Sequence, residues 1–423
     1  MSDLTRENLR SVVHRVVAET PVLDVHTHLY TPRFGKLLLY GIDDLLTYHY
    51  LVAEVFRVAP MPYERFWSMT KRQQADHIFK HLFVERSPVS EACRGVLTVL
   101  QAFGLDVGKR DLAGIRNHLA SIPIEAYIDK VFELANVASV IMTNDPFDDA
   151  ERPIWQAGTE TDARFGSGLR IDPLLNDWSG AADRLKQWGY EVRGDLGPSD
   201  VDAVKRFLFD WIERIEPRYM AVSLPPDFEF PEDGPRGRLI ERCVLPAARQ
   251  AGIGFAMMIG VRRQLNPGLE LAGDGVGKAD VGVITRLCTQ FPHNRFLVTM
   301  LSRENQHELC VAARKHPNLL VFGCWWFLNN PSIIEEITRE RFELLGLSFV
   351  PQHSDARVLD QIIYKWSDAR RIIADVLADK YADLLEAGWS LTKEEIRRDV
   401  ADLFGNVFER FCAGAKGDVR SEM

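Results

Sequence analysis

The stretch LDVHTHLY, residues 23–30, places two histidines at the end of a short apolar run. The run PVLDVHT, residues 21–27, has the composition of a buried β-strand. Because residues two apart on a strand point to the same face, His26 and His28 can converge on one metal ion. Two hydrogen-bonded core histidines would show the same spacing, so the rest of the chain has to distinguish the two interpretations.

Seven further runs have the same strand-like character, and helix-length amphipathic stretches separate most of them. They are ASVIMTN (138–144), GSGLRIDP (166–173), YMAVSL (219–224), GIGFAMMIG (252–260), RFLVTML (295–301), NLLVFGCWW (318–326) and LSFVPQH (347–353). Strands that alternate with helices are typical of α/β folds with a parallel sheet. Eight in one series favour a closed (β/α)8 TIM barrel over the alternative, an open doubly wound sheet. Several runs end in polar loops, where such barrels build their active sites.

The length of 423 residues is compatible with one barrel that spans the whole chain and carries insertions. Residues 41–135, between the first and second predicted strands, are far too many for a simple crossover. Their amphipathic patterns predict an inserted helical layer over the barrel mouth. Residues 358–414 have the same periodicity and predict a set of C-terminal helices.

The composition excludes several classes of protein. Hydrophobic residues are 46% and charged residues 26% of the chain, and no apolar run approaches the ~18 residues of a membrane span. The net charge of −9 argues against a nucleic-acid partner. The six cysteines show neither disulfide nor metal-site spacing, and the N-terminal segment lacks an apolar signal core. We therefore expect a cytoplasmic protein whose partners are neither nucleic acid nor membrane.

A carboxylate that could complete a metal site follows the eighth predicted strand, at Asp355 in SFVPQHSDAR. In a closed barrel the first and eighth strands are neighbours, so Asp355 can meet His26 and His28. Two imidazoles and one carboxylate leave coordination positions open, as a catalytic site requires, whereas structural zinc sites usually have four protein ligands.

Two further candidates lie on either side of this set. Arg357, two residues beyond Asp355, could offer its guanidinium fork to substrate oxygens or could form only a surface salt bridge. His49 and Tyr50 lie early in the inserted helical layer, where they could point into the barrel mouth. Since adjacent residues do not share a helix face, at least one of the two is expected to serve structure.

The ends of the third and seventh predicted strands supply the remaining candidates. Arg170 and Asp172 share a strand face, and Arg170 is a suitable bidentate partner for a carboxylate. Trp325 and Trp326 end the seventh strand. Successive residues alternate faces, so one indole could line a pocket while the other packs in the core.

The chain resembles the uronate isomerases of the amidohydrolase superfamily over nearly its whole length, through LDVHTHLY, the HY of the inserted layer, IMTNDPFDD, GLRIDP, LSREN, GCWWFLNN and SDAR. This resemblance implies an aldose–ketose isomerase that interconverts D-glucuronate with D-fructuronate and D-galacturonate with D-tagaturonate. It implies one divalent metal ion, with Zn²⁺ as the expected metal, bound by His26, His28 and Asp355. The expected partner is a small sugar acid, and the oligomeric state stays open, a homo-oligomer included.

The resemblance also implies roles around an open-chain substrate, with a proton moving through a cis-enediol. Tyr50 is the candidate base for the carbon-bound proton, with a phenol pKa that Arg357 would lower. Asp355 would move a proton between O1 and O2. Arg170 would hold the C6 carboxylate, and His49 would assist a distal oxygen. One of the two tryptophans would lie against the substrate.

Departures from the superfamily pattern weaken the main alternative, a mononuclear hydrolase or lactonase that acts on sugar acids. Metal hydrolases of this superfamily typically carry a bridging lysine after strand four and histidines after strands five and six. This chain has Leu224 and Met258 at the first two places and no histidine in VTMLSREN. Met258 also departs from other uronate isomerases, which leaves substrate contacts near strand five open. A non-catalytic sugar-acid binder is the third interpretation.

Overall fold

The computed structural model describes residues 4–158 and 162–420, with side chains as far as residue 413. The strands in these residues are β1 (Val22–Thr27), β2 (Val137–Asn144), β3 (Phe165–Arg170), β4 (Tyr219–Leu224), β5 (Gly254–Ile259), β6 (Val261–Arg262), β7 (Gly275–Val276), β8 (Phe296–Met300) and β9 (Leu319–Val321).

The α-helices are α1 (Arg6–Glu19), α2 (Ile42–Leu46), α3 (His49–Val58), α4 (Tyr63–Trp67), α5 (Lys71–Phe79), α6 (Glu91–Ala102), α7 (Leu112–Ala120), α8 (Ile124–Ala135), α9 (Arg152–Gln156), α10 (Asp172–Asn176), α11 (Trp178–Gln187), α12 (Pro198–Ile215), α13 (Pro235–Leu239), α14 (Leu245–Ala251), α15 (Gly282–Gln290), α16 (Gln306–Ala313), α17 (Pro331–Leu345), α18 (Gln361–Glu386), α19 (Lys393–Ala401) and α20 (Val407–Arg420).

The main sheet is parallel and curled, with its strands in the order β1-β2-β3-β4-β5-β8-β9. Side chains of alternating residues face opposite sides of it. Tyr219 and Ala221 of β4 pack with Ala256 of β5 in an apolar cluster inside the barrel. Met220 and Val222 belong instead to the large core between the sheet and the helices. This alternation is the layered packing of a (β/α)8 barrel, and it confirms the predicted fold class.

The predicted eighth strand at residues 347–353 is wrong as a regular strand, although the segment does close the barrel. It forms one isolated parallel bridge, in which the Val350 amide donates to the carbonyl of Val321 in β9 at 3.0 Å. A few residues later the Asp355 amide donates to the His26 carbonyl of β1 at 3.1 Å. Pro351 lacks an amide proton, and Asp355 has a left-handed backbone with φ of 52°. These two residues interrupt the ladder while the segment still bonds to both of its neighbours.

An antiparallel hairpin, β6–β7, follows β5 and was not predicted from the sequence. Gly260 makes the turn out of β5 with a backbone φ of +120°. Residues that carry a side chain rarely adopt this backbone conformation. The Gly277 amide donates back to the Gly260 carbonyl at 2.8 Å. The hairpin therefore begins directly at the carboxyl end of the strand, where barrel active sites lie.

Helices α2 to α8 occupy the long connection between β1 and β2, within the predicted segment 41–135. The C-terminal segment contains α18, α19 and α20, and α18 packs against α1, α6, α8 and α17. All six cysteines are buried, and all six are free, as their spacing predicts. Among the described residues, no helix combines the length and the apolar character that a bilayer crossing needs.

Candidate active site

The three predicted metal ligands come together at the seam of the barrel. His26 and His28 come from the end of β1, and Asp355 comes from the closing segment. Asp355 Oδ1 lies 3.6 Å from His26 Nε2 and 3.2 Å from His28 Nε2, and one possible ligand atom from each residue lies within 4.8 Å of the others. Among the described residues, His26 Nε2 and Asp355 Oδ1 are buried without a hydrogen-bond partner. Converging buried lone pairs of this kind fit a divalent cation.

Two hydroxyl groups fix which ring nitrogen of each histidine is available. The Tyr219 hydroxyl donates to a β1 carbonyl at 2.7 Å and lies 3.2 Å from His26 Nδ1. The Thr143 hydroxyl donates to another β1 carbonyl at 3.0 Å and lies 2.6 Å from His28 Nδ1. Each hydroxyl has one proton and has used it, so it must accept from the imidazole. Both Nδ1 atoms then carry the proton, and both Nε2 lone pairs face the site.

The two imidazoles are neutral, as metal ligation requires. Burial lowers the pKa of His26 to about 3, and the neighbouring His28 adds to this effect. Burial also lowers the pKa of His28 well below its ordinary value, assisted first by Arg357 and then by Arg170. A cationic imidazole would be costly here, because the site is desolvated and two guanidinium groups lie nearby.

An open cleft of about 590 Å³ lies beside the three ligands. The three ligands line it together with five other predicted site residues, His49, Arg170, Trp325, Trp326 and Arg357, whereas Tyr50 is not among the lining residues. Met258 also lines it and gives the wall near β5 an apolar surface. The lining residues that the sequence analysis did not name as candidates are Tyr48, Thr143, Ala221, Val222, Ser223, Arg263, Leu271 and Asp274, and Asp172 lines it as a partner of Arg170.

Arg170 and Arg357 face the cleft in different states. Arg170 forms a two-bond fork with Asp172, at 2.9 and 3.0 Å. Burial acts to lower the pKa of Arg170, but Asp172 outweighs it and the pKa rises. Arg357 makes no ion pair with any residue that the structure describes, so the salt-bridge alternative for it has no partner there. Its fork is available to a ligand.

His49 and Tyr50, at the start of α3, differ in orientation. His49 lines the cleft, its Nε2 is buried without a partner in the described chain, and burial lowers its pKa to about 3. The Tyr50 hydroxyl is turned towards the Trp326 carbonyl, to which it donates at 3.4 Å. Burial raises the pKa of Tyr50 well above 10, so the expected lowering by Arg357 is wrong in direction. Lys365 Nζ lies 5.4 Å from the centre of the Tyr50 ring.

Both tryptophans line the cleft, but their packing differs. Trp325 is 3% exposed and belongs to the apolar cluster inside the barrel. Trp326 is half-buried, and its ring meets His49 edge-on with centroids 5.4 Å apart. Its backbone φ is 45°, which is rare for a bulky residue, and Asp355 is also left-handed. Strained residues of this kind concentrate at functional sites.

Three groups of residues, in the cleft or behind its metal ligands, were not predicted from the sequence, for different reasons. Thr143 ends the IMTN run and shares a strand face with Ile141 inside the barrel, so strand parity could have identified it. Tyr219 begins β4 and reaches His26 only through the curvature of the barrel, which leaves no local signal. Arg263 and Asp274 lie at the hairpin after β5, which had not been predicted.

The whole chain was compared with known proteins, and several solved structures are similar to it. A uronate isomerase from Bacillus halodurans C-125 is 57% identical, with a TM-score of 0.96 over 97% of this chain and 98% of that chain. A uronate isomerase from Thermotoga maritima (16% identity, TM-score 0.76, 97% and 100% covered) and a glucuronate isomerase from Caulobacter crescentus (16% identity, TM-score 0.77, 98% and 95% covered) share the fold. No protein-family model and no curated protein matches the chain.

Proposed function

Because the chain belongs to the uronate isomerase family, we propose that it interconverts the aldose and ketose forms of hexuronates. The expected pairs are D-glucuronate with D-fructuronate and D-galacturonate with D-tagaturonate. The observation that carries this proposal is the 57% identity to the B. halodurans uronate isomerase over 98% of that chain. The three converging ligands beside a free Arg357 fork are the chemistry that such a reaction needs.

One divalent ion, with Zn²⁺ as the proposed metal, would be held by His26, His28 and Asp355. When bound, such an ion supplies Lewis acidity to oxygens that gain negative charge. The Nδ1 protons donated to Tyr219 and Thr143 leave the two Nε2 lone pairs for it. Oxygen and imidazole donors with open positions suit zinc and several other divalent metals, so the choice of Zn²⁺ rests on the family.

The isomerisation moves a carbonyl from C1 to C2, so a proton has to leave C2 and a proton has to reach C1. Tyr50 is the proposed base at carbon. Burial raises the pKa of its phenol and keeps it protonated in the free protein. Asp355 would carry the proton between O1 and O2. Arg357 would donate to the enediolate oxygens as they gain charge.

The remaining cleft residues would position the sugar. Arg170 is held by its fork with Asp172, so its remaining donors have a fixed direction. His49 is neutral and would exchange a hydrogen bond with a hydroxyl of the substrate. Trp326 would pack against the carbon chain.

Hydrolysis is not favoured by the cleft or by the relatives. Leu224 and Met258 are apolar and buried at the places where superfamily hydrolases carry further metal ligands. Among the described residues, one group of three possible ligands is present, and it is the set that contains His26. A hydrolytic water would therefore have Asp355 as its base but would lack polar partners at Leu224 and Met258.

The test is to incubate the zinc-loaded protein with each hexuronate in heavy water and to follow the products by NMR. Formation of the corresponding ketose is expected, with deuterium entering at C1 if the base exchanges its proton with solvent. Absence of ketose from every hexuronate would refute the proposal. Release of a new acid group from a sugar-acid lactone, without ketose, would support the hydrolase instead. In the same assay Tyr50→Phe should abolish turnover, and near-normal turnover would refute the base assignment.

A further inference from the structure

The sugar acid of the proposed function has a charged group that the reacting carbons do not use. Its C6 carboxylate lies at the opposite end of the open chain from C1 and C2. A desolvated carboxylate needs a cationic or hydrogen-bonding partner at that end of the cleft. Three guanidinium groups line the cleft, those of Arg170, Arg263 and Arg357.

Two of these three lie at the metal end. Arg357 follows the ligand Asp355 by two residues, and the Arg170 side chain is only 21% exposed, with its fork occupied by Asp172. The metal end is the buried end of the cleft, because the side chains of His26, His28 and Asp355 are 2%, 14% and 8% exposed. The Arg263 side chain is 52% exposed and so lies nearer the opening. Arg263 therefore stands as the cation at the far end of the cleft.

Arg263 has donors to spare. Its Nη1 donates to Asp274 Oδ2 at 2.6 Å, and this is the ion pair that the structure describes for it. The Asp274 side chain is 3% exposed, whereas that of Arg263 is 52% exposed. The buried carboxylate also accepts from the Gln264 amide at 2.8 Å. A guanidinium has five N–H donors, so one contact to Asp274 leaves enough for a second, bidentate carboxylate.

The loop that connects β6 to β7 is tied to the inserted helical layer. Trp67 Nε1 of α4 donates to the Gly268 carbonyl at 2.9 Å. Asn266 Nδ2 donates to the Tyr63 hydroxyl of the same helix at 3.0 Å. Within the loop the Asn266 amide donates to the Gly273 carbonyl at 3.0 Å. These bonds fix the loop that lies between Arg263 and Asp274, and a loop that is ordered before a substrate arrives reduces the entropy cost of binding.

The wall of the cleft near β5 would otherwise offer little to a polar ligand. Met258 lines it, with a thioether that is at best a weak hydrogen-bond acceptor. Arg263 lies five residues further along the same strand and hairpin. It brings a strong donor to a side of the cleft that the strand itself leaves apolar.

We propose that Arg263 binds the C6 carboxylate of the hexuronate and that Asp274 is its positioning residue. This inference rests on the proposed function. It gives Arg263 the contact that the sequence analysis gave to Arg170, which remains near the reacting end. Asp274 acts through the guanidinium and does not touch the substrate. The pair makes the enzyme selective for a terminal carboxylate over a neutral group.

The experiment compares D-glucuronate with D-glucuronamide, in which a neutral carboxamide replaces the carboxylate. Arg263→Met should raise the KM for D-glucuronate about tenfold or more, because it removes a charge-assisted contact, and should leave kcat within about twofold. The kcat/KM for D-glucuronamide should stay unchanged. Arg263→Lys, which keeps the charge and loses the fork, should fall between wild type and Arg263→Met.

The matched control is Arg262→Met. Arg262 is the last residue of β6 and directly precedes Arg263. It is exposed and does not line the cleft, so both substrates should keep their wild-type constants. An unchanged KM for D-glucuronate in Arg263→Met, or an equal loss for the acid and the amide, would overturn the inference while wild-type turnover upholds the function. If wild type converted no hexuronate, the proposed function would fail, and the inference with it.

Discussion

At the scale of single residues, each of the two imidazoles proposed to bind the metal uses one nitrogen inside the protein and keeps the other for a ligand. Tyr219 and Thr143 are not among the three proposed metal ligands. They hold His26 and His28 by accepting the Nδ1 protons, since their own protons are donated to β1 carbonyls. Such outer contacts set both the ring orientation and the basicity of a ligand.

We expect Tyr219→Phe to weaken zinc binding by roughly 10-fold or more, because His26 loses the acceptor that fixes its tautomer. Competition with a chromophoric chelator would measure the affinity directly. Tyr190→Phe is the matched control, because the Tyr190 hydroxyl bonds to Asp210 at the surface. Equal zinc affinity in Tyr219→Phe and wild type would show that the hydroxyl does not orient the ligand.

His49 predicts a pH dependence of stability. Its pKa is about 3 in the folded protein, against about 6.5 in an unfolded chain. Below pH 6.5 the unfolded chain therefore binds the extra proton, so this stabilisation is complete above pH 6.5 and is lost as the pH falls towards 3. Metal-free wild type should lose up to about 2 kcal/mol through this group between pH 8 and pH 5.

His49→Gln removes that titration and should flatten the pH profile by the same amount. Urea unfolding of metal-free wild type and variant at the two pH values measures the difference. Parallel profiles for the two proteins would mean that His49 becomes protonated without cost in the folded state.

At the scale of elements, the site depends on pieces added to the barrel strands. Helix α3 brings His49 over the mouth, and the β6–β7 hairpin brings Arg263. Gly260 decides where the hairpin starts. A Cβ atom at this position would lie 2.9 Å from the Gly277 carbonyl oxygen and 3.2 Å from the Leu301 Cβ.

Gly260→Ala should therefore destabilise the protein by about 2 kcal/mol or more, through backbone strain together with the clash. Gly189→Ala is the control, because Gly189 has φ of +87° but nothing within 4 Å of a Cβ atom. That variant should cost only about 1 kcal/mol. Chemical denaturation of both variants measures their free energies of unfolding, and the difference between the two losses is the contribution of the steric clash. Equal losses of stability would exclude such a contribution.

At the scale of the whole molecule, the proposed metal site lies on the seam where the barrel closes. The closing segment bonds to β9 through Val350 and to β1 through Asp355, without a regular strand. An ion shared by His26, His28 and Asp355 would join the two sides of that seam. Ligand binding to the folded state alone stabilises it by mass action.

Removal of the metal with a chelator should lower the Tm by several degrees. A free metal concentration of ~100 times the Kd adds about 2.7 kcal/mol to the free energy of unfolding, and the chelator removes this contribution. Readdition of zinc should restore it, which differential scanning calorimetry can follow. His28→Ala, which lacks one ligand, should show a much smaller metal-dependent shift. If the chelator left the Tm of the wild-type protein unchanged, the ion would not bind at the seam.

The sequence by itself determined the βα series, the separation of His26 and His28 by two residues on one strand, and the recurrence of polar residues where strands end. These features are local, because the period of a strand and the length of a helix are written in consecutive residues. They were enough to predict seven of the eight strand positions, the inserted helices and the pairing of Asp355 with the two histidines.

Only the tertiary structure decided the positions and orientations of the side chains that form the site. It replaced the eighth strand by a segment with Pro351 and a left-handed Asp355, turned the Tyr50 hydroxyl towards the Trp326 carbonyl, and placed Arg263 at the cleft. It also brought Tyr219 to His26 across 193 residues. Burial, orientation and contact across the barrel depend on closure of the whole sheet, and no window of consecutive residues contains that information.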